Sequence, residues 1–217
     1  MLLNLDQKLQ NLKMVAAVSK YLEKPDLTNV YGVGASLQGS EMARQMGRHL
    51  MEDQRFRALV EEGWRPASIH LDELLAMPTG SLGQVYAQQL SSQGLDPEST
   101  MDHSEITSPA QYIKHRMRET HDIIHVLTGF GVDGAGELGV QAFGLAQNRH
   151  PIAVLLILGG LLKALQDGLD LAPVLHAISK GFKLGLSAEK LIAYKFEDAW
   201  QKPIESWREE VGLPSNP

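Results

Sequence analysis

The chain has 217 residues, a formal net charge of -6, a sequence pI of about 5.7 and no cysteine. An acidic chain offers no electrostatic footprint for nucleic acid, so nucleic acid is not an expected partner. Without cysteine there is no disulfide, thiolate ligand or Cys nucleophile, and any metal must be held by nitrogen and oxygen. The length fits one domain or two small ones, and we predict a single helical domain over residues 1–217.

The N-terminal segment has the pattern of an amphipathic helix. Leucines at near-helical spacing from Leu2 to Leu22, with lysines among them, predict a helix over residues 2–22 that ends before Pro25. Such a stripe fits packing on its own domain and also docking to a membrane surface. The sequence opens with neither a signal peptide nor a transit peptide pattern, so we expect a cytoplasmic protein of bacterial type.

The rest of the chain is predicted to be all-α, because period-two alternation is scarce. Gly32-Val33-Gly34 is interpreted as part of a turn and not as a phosphate loop, because it lacks the third glycine of a dinucleotide-binding motif. Ser40 is a candidate cap of one helix, and Thr79 or Ser81 could cap another. From such caps, glycines and prolines, further helices are predicted over residues 40–50, 56–62, 71–77, 173–186, 188–200 and 203–212, with one more ending near residue 92.

Residues 151–165 contain an unbroken apolar run from Ile152 to Leu162, which is too short to cross a bilayer as a helix. A helix that is apolar on all sides is normally central and buried, so we predict a single compact multi-helix domain around it. A second interpretation is that the glycine pair leaves room for a long apolar ligand tail. The residues lining that tail would be Leu155, Leu158, Gly159, Gly160 and Leu162.

A candidate metal site follows from the helix predicted over residues 109–129, which begins with Ser108-Pro109. His121 and His125 are one helical turn apart and can point at one ion. Asp122 is adjacent, and Glu137 follows a glycine-rich bend. Neutral imidazole and carboxylate form a divalent-metal ligand set suited to zinc, iron, manganese and sometimes magnesium.

Other interpretations of these residues stay open. With eight histidines in the chain, about 0.3 pairs at this spacing are expected by chance, and the residues could simply be solvated or ion-paired, Asp122 with Arg118. A His-Glu-x-x-His metalloprotease carries glutamate where this chain has Asp122, which reaches less far. A phosphohydrolase with a His-Asp dyad would need further ligands, for which Asp102, His103 and His115 have no supporting spacing.

The motif His121-Asp122-x-x-His125 with eleven residues before Glu137 resembles the metal motif of the coenzyme Q (ubiquinone) biosynthesis protein four family. The similarity covers nearly the whole chain. Residues 131–135 are more glycine-rich than expected of mitochondrial members, which bears on the flexibility of the site. The lack of a transit peptide pattern suggests a bacterial relative, whose quinone could differ. The other matching residues are Pro78-x-Gly80-Ser81-Leu82-Gly83-x-x-Tyr86, Arg118, Tyr194, Trp200 and Arg208-Glu209-Glu210-Val211-Gly212.

The resemblance implies an all-α fold and a divalent metal, zinc first, held by His121, Asp122, His125 and Glu137. It implies a peripheral protein on the inner face of the membrane that removes the C1 carboxyl of a polyprenylated hydroxybenzoate with oxidation of the ring. If Asp122 is not a ligand, it is the candidate base, and Arg118 would orient it or meet a substrate anion. Expected partners are prenylated quinone precursors and other quinone-biosynthesis proteins, and a homo-oligomer is left open. The alternatives are a non-catalytic lipid-binding scaffold and a metal-free interaction module.

Overall fold

The computed structural model describes residues 5–24, 26–97, 104–215 and 217. Helices form the regular structure of this part of the chain, which contains no β-strand, and the all-α prediction is confirmed. Contacts divide the chain into two compact units, Met1–His49 with Gly131–Leu186 and Leu50–Phe130 with Ser187–Pro217. The assignment of residues 1–217 to one domain stays a prediction.

The helices are α1 (Leu5–Glu23), α2 (Leu27–Ser36), α3 (Glu41–Met51), α4 (Gln54–Glu62), α5 (Leu71–Leu75), α6 (Leu82–Ser92), α7 (Pro109–Glu119), α8 (His121–Thr128), α9 (Gly134–Asn148), α10 (Pro151–Gln166), α11 (Leu171–Ser187) and α12 (Ile204–Glu210), with 3-10 turns at Leu191–Ala193 and Phe196–Ala199.

In the first unit, helix α1 confirms the predicted N-terminal helix, and it packs on its own unit through one side. Met14, Val18 and Tyr21 lie against the apolar core that α2 and α10 form. The opposite side carries large apolar side chains that are 49% to 72% exposed. These are Leu5, Leu9, Leu12 and Val15. The predicted start at Leu2 and stop at Pro25 lie outside the described residues, as do Asp102 and His103.

Helix α10 takes the central position predicted for it, since α1, α2 and α9 all pack on it. The prediction that this helix is buried on all sides is nevertheless wrong, because its neighbours leave one side exposed. Val154, Leu158, Leu162 and Leu165 are 39% to 60% exposed and form one stripe along the helix. In the part of the chain that the structure describes, no helix is both long and apolar enough to cross a membrane.

Helices α9 and α11 approach closely at glycines. A Cβ on Gly181 would lie 2.0 Å from the carbonyl oxygen of Gly139, and one on Gly185 would lie 2.7 Å from that of Phe143. Buried Gln147 donates from Nε2 to the carbonyl oxygen of Gly185 at 2.8 Å. Since the obstructing atoms belong to the backbone, only glycine permits this approach.

Gly181→Ala is expected to lower the free energy of unfolding by about 1–3 kcal/mol, because the added methyl overpacks the crossing. Gly144 in α9 is the matched control, since a Cβ there would come within 4 Å of no described atom beyond the adjacent residues and the backbone of α9 itself. Gly144→Ala should raise the free energy of unfolding by about 0.4–1 kcal/mol, because it restricts the unfolded chain. Urea denaturation measures the free energy of unfolding of both variants. Changes of the same sign in the two variants would contradict the close approach of α9 and α11 at Gly181.

The second unit contains a buried ion-pair network. Arg116 is fully buried, and its guanidinium donates to both carboxylate oxygens of Glu197, at 2.5 and 3.0 Å. Glu119 lies 3.5 Å from the same guanidinium and 3.0 Å from Arg65. The guanidinium also lies 4.9 Å from the ring centroid of Trp64. Such partners are required because an isolated buried charge is strongly destabilising.

The structure overturns the predicted turn at Gly32-Val33-Gly34. These residues lie inside α2, which Asp26 caps by accepting a hydrogen bond from the backbone N–H of Asn29 at 2.9 Å. Val33 is fully buried in the core that contains Ile152. Tertiary packing therefore outweighs the low helix propensity of two glycines.

The predicted helix over residues 188–200 is wrong as well, because the chain forms two 3-10 turns there. Between them Tyr194 is extended, and its carbonyl oxygen accepts a hydrogen bond from Arg116. The helix predicted over residues 109–129 is interrupted at Thr120, whose hydroxyl donates back to the carbonyl oxygen of Arg116 at 2.9 Å. Such bonds from threonine commonly bend helices.

Candidate metal centre

Helix α8 carries the two histidines of the predicted metal motif. The helix ends at Gly129, which adopts the left-handed conformation with φ of 69°. His121 and His125 lie one turn apart, and their ring centroids are 4.9 Å from each other. The His121 side chain is 36% exposed, whereas His125 is buried. The pair therefore presents one imidazole at the surface and one inside.

The buried imidazole has an orienting partner in the chain. Nδ1 of His125 lies 3.2 Å from the carbonyl oxygen of Phe130. A carbonyl only accepts, so the neutral imidazole that pairs with it carries its proton on Nδ1 and has its lone pair on Nε2. A backbone carbonyl on the second nitrogen is the usual arrangement behind a metal-bound imidazole.

Asp122 lies beside the first imidazole. Its Oδ1 is 3.2 Å from Nδ1 of His121. Burial raises the pKa of the Asp122 carboxyl, but the hydrogen bond with His121 and the electrostatic effect of His121, with a smaller one of His125, outweigh it, so the pKa lies below its ordinary value. The carboxylate is ionised at neutral pH and favours the tautomer of His121 that leaves Nε2 for a metal.

The glycine-rich bend places Glu137 in the first turn of α9. The carboxylate of Asp133 caps this helix by accepting hydrogen bonds from the backbone N–H groups of Ala135 and Gly136, both at 2.9 Å. A Cβ on Gly136 would lie 2.0 Å from the carbonyl oxygen of Gly131. The bend thus needs glycine for a tight turn.

His121, His125 and Glu137 come together as a group that could hold a metal ion. Their ligand atoms, one from each residue, all lie within 4.8 Å of one another. Metal–ligand bonds of about 2.0–2.2 Å require ligand atoms roughly 3–4 Å apart, which small side-chain rotations would provide. Two imidazoles and a carboxylate are also a suitable donor set for a divalent ion. Asp122, the fourth predicted ligand, is not a member of this group, so its place in the ligand set stays a prediction.

Arg118 lies half-buried near the end of α7, one turn before Asp122 in sequence. Since the helix is interrupted at Thr120, the i, i+4 geometry assumed for these two residues is not that of one continuous helix. Their predicted ion pair, and the role of Arg118 toward a substrate anion, stay predictions.

A family model described as coenzyme Q (ubiquinone) biosynthesis protein Coq4 matches residues 3–217. The chain belongs to the Coq4 family. This confirms the resemblance identified from the metal motif and from the residues around it.

Relatives and a solved structure agree with this assignment. The mitochondrial ubiquinone biosynthesis protein COQ4 of Meyerozyma guilliermondii is 27% identical over 219 residues, which cover 96% of this chain and 68% of that protein. The rat COQ4 homolog, also mitochondrial, is 27% identical over 156 residues, 70% of this chain and 57% of that protein. The chain thus matches 57% to 68% of the length of these two relatives. The crystal structure of a protein from Nostoc punctiforme assigned to ubiquinone biosynthesis has a TM-score of 0.84 and 31% identity, covering 93% of this chain and 97% of that one.

Two segments that carried the family resemblance contact each other. The backbone N–H groups of Leu82 and Gly83 donate to the carbonyl oxygens of Lys202 and Trp200, at 2.9 and 2.8 Å. The ring of Tyr86 lies 5.0 Å from that of Trp200. The turn motif at residues 78–86 therefore packs against the C-terminal stretch around Trp200.

The charges of Asp122 and Glu137 act on two tyrosines, Tyr86 and Tyr21, to which the sequence assigned no role in the site. Burial, and then the negative charge of Asp122, raise the pKa of Tyr86, so its hydroxyl stays protonated at neutral pH. Burial, and then the charge of Glu137, raise the pKa of Tyr21. Tyr86 stands in the turn motif that carried the family resemblance, whereas no sequence signal pointed to Tyr21.

The space predicted beside Gly159 and Gly160 for a ligand tail is filled by the protein itself. A Cβ on Gly159 would lie 2.7 Å from Cε1 of Tyr21, and one on Gly160 would lie 2.6 Å from Cδ1 of Leu138. The two glycines therefore allow neighbouring helices to pack closely. The prediction that they leave room for a ligand tail is wrong. Of the other predicted lining residues, Leu158 and Leu162 lie on the exposed stripe of α10, and Leu155 is half-buried.

Proposed function

We propose that this Coq4-family protein acts in ubiquinone biosynthesis by metal-dependent removal of the C1 carboxyl group from a polyprenylated hydroxybenzoate. The observation that carries the proposal is the grouping of His121, His125 and Glu137, whose ligand atoms lie within 4.8 Å of one another. A divalent ion held there, zinc first and iron, manganese or magnesium as alternatives, would supply Lewis-acid polarisation of a substrate oxygen.

The chain itself would supply proton transfer and orientation. Asp122 is ionised and adjacent to the group, so it is the candidate to accept a phenol proton, or to serve as a fourth ligand. Arg118, which precedes His121 by three residues, is the candidate to orient Asp122 or to pair with the substrate carboxylate. In simple decarboxylation the bond from C1 to the carboxyl breaks, carbon dioxide leaves and a proton takes its place. Oxidation of the ring would additionally consume an oxidant such as dioxygen.

The apolar surface of α1 and α10 supports a lipid substrate and a peripheral place on the inner face of a membrane. Both helices expose large aliphatic side chains along one side. Exposed apolar patches of this kind mark lipid, membrane or protein contacts. In this proposal Leu155, Leu158 and Leu162 lie along the polyprenyl tail, and Gly159 and Gly160 keep the helices beside it closely packed.

The substrate assay tests the chemistry directly. A polyprenyl hydroxybenzoate labelled with ¹³C in its carboxyl group is incubated in detergent with the metal-loaded chain, with the chelator-treated chain as the control. We expect labelled carbon dioxide only from the metal-loaded chain, and the mass of the ring product distinguishes proton replacement from oxidation. Equal release in both samples, or release from neither, would contradict metal-dependent decarboxylation.

The alternative function is a lipid-binding scaffold that organises other quinone-biosynthesis proteins. The exposed leucines of α1 and α10 favour it, because they can hold a prenyl lipid without any chemistry. A scaffold would retain the labelled substrate through gel filtration but release no labelled carbon dioxide. The two functions therefore give different results in one experiment.

A further inference from the structure

Arg208 holds the C-terminal end of the helix that carries both histidines. It donates from Nε to the carbonyl oxygen of Leu127 at 2.9 Å and from Nη2 to that of Val126 at 3.1 Å. Both carbonyls belong to the last turn of α8, where a helix cannot pair them with its own N–H groups. The Arg208 side chain is only 12% exposed, so water competes little for these bonds.

The guanidinium is fixed from its other side as well. Its Nη1 donates to Oε1 of Glu205 at 2.6 Å and to the carbonyl oxygen of Ser215 at 3.1 Å. All three nitrogens of Arg208 are thus engaged. A planar group bound in this way is fixed in orientation as well as in position, which a lysine ammonium cannot reproduce.

The place of these bonds connects Arg208 with His125. Val126 directly follows His125, and Phe130, whose carbonyl orients the His125 ring, comes two residues after α8 ends. A shift of the last turn would therefore move the imidazole and its orienting carbonyl together. A positive charge here also stabilises the negative end of the helix dipole.

We propose that Arg208 is a positioning residue for the metal centre, which fixes the last turn of α8 and thereby directs Nε2 of His125. This inference rests on the metal site of the proposed function. It requires the planar fork of arginine at this position, and a positive charge alone does not suffice.

The test measures Zn²⁺ affinity on the chelator-treated full chain by competition with a chromogenic chelator. Arg208→Lys is expected to weaken Zn²⁺ binding by about 10- to 100-fold, the range found when residues behind metal ligands are removed. The absorption bands of the Co²⁺-loaded variant should also change, because the ligand geometry changes. Arg57→Lys is the matched control, since Arg57 donates from Nε and Nη2 to the carbonyl oxygen of Met51, at 2.9 and 2.6 Å, at the end of α3. We expect it to bind Zn²⁺ within about twofold of the wild type.

The outcomes separate this inference from the proposed function. If the wild-type chain binds no Zn²⁺, the metal site itself is wrong and the role of Arg208 falls with it. If the wild type binds Zn²⁺ but Arg208→Lys binds equally and shows the same Co²⁺ spectrum, only the role of Arg208 is overturned. Arg208→Gln, which keeps a donor where arginine has Nε but lacks the two terminal nitrogens, is the second variant. Loss of the helical circular dichroism signal in both variants would assign Arg208 to folding alone and would also overturn the inference.

Discussion

His121→Ala is expected to reduce bound metal from one equivalent to near zero and to reduce turnover to the level of the metal-free protein. His121 supplies one member of the three-residue group, and the two remaining ligands do not hold a divalent ion tightly. Its side chain is 36% exposed, so its removal leaves no large cavity and the helical fold should persist. Elemental analysis of the purified variant, with circular dichroism on the same sample, measures both expectations.

His176→Ala is the matched control for this variant. His176 lies on the exposed side of α11 and is absent from the metal group. We expect this variant to retain one equivalent of metal and full turnover. A full equivalent of metal in His121→Ala, or an equal loss in both variants, would remove His121 from the ligand set.

Arg116→Met is expected to lower the free energy of unfolding by about 3–5 kcal/mol, the usual cost of removing one partner of a buried ion pair. Methionine fills similar space, so the main effect is electrostatic. The variant leaves Glu197 and Glu119 with side chains only 3% and 6% exposed and without their shared guanidinium. Urea denaturation followed by circular dichroism measures the change.

Two further variants separate electrostatics from packing. Lys163→Met removes a surface partner of Asp167 and is expected to cost less than about 1 kcal/mol. Adding Glu197→Gln to Arg116→Met should recover part of the lost stability, because it removes the uncompensated charge. A loss in Arg116→Met no larger than that in Lys163→Met would show that the buried network contributes little.

The local features of the site could be predicted from the sequence. His121 and His125 are four residues apart, and the helix that carries them fixes their common side. Glu137 is only twelve positions after His125 and follows a short glycine-rich bend, so its grouping with the histidines could also be predicted from nearby residues. The close approach of Gly136 to Gly131 explains why that bend is rich in glycine.

What the sequence could not show depends on residues that are distant in the chain. Arg116 and Glu197 are 81 positions apart. Arg116 bonds the side chain of Glu197 and the carbonyl oxygen of Tyr194, and both lie in the stretch 188–200 where a helix was predicted and is not formed. The same limit applies to Gly159, because only the fold reveals that Tyr21 covers it. It applies to Arg208 too, whose bond to Leu127 spans 81 positions.

X-ray absorption spectroscopy of the Zn²⁺-loaded chain is the most direct measurement of the metal centre. We predict a first shell of nitrogen and oxygen in which two ligands show imidazole scattering, from His121 and His125, and one or more are carboxylate or water oxygens. The His121→Ala variant, loaded at the same Zn²⁺ concentration, should lose one imidazole or all bound metal. A wild-type spectrum with an oxygen-only shell would contradict a site built on these two histidines.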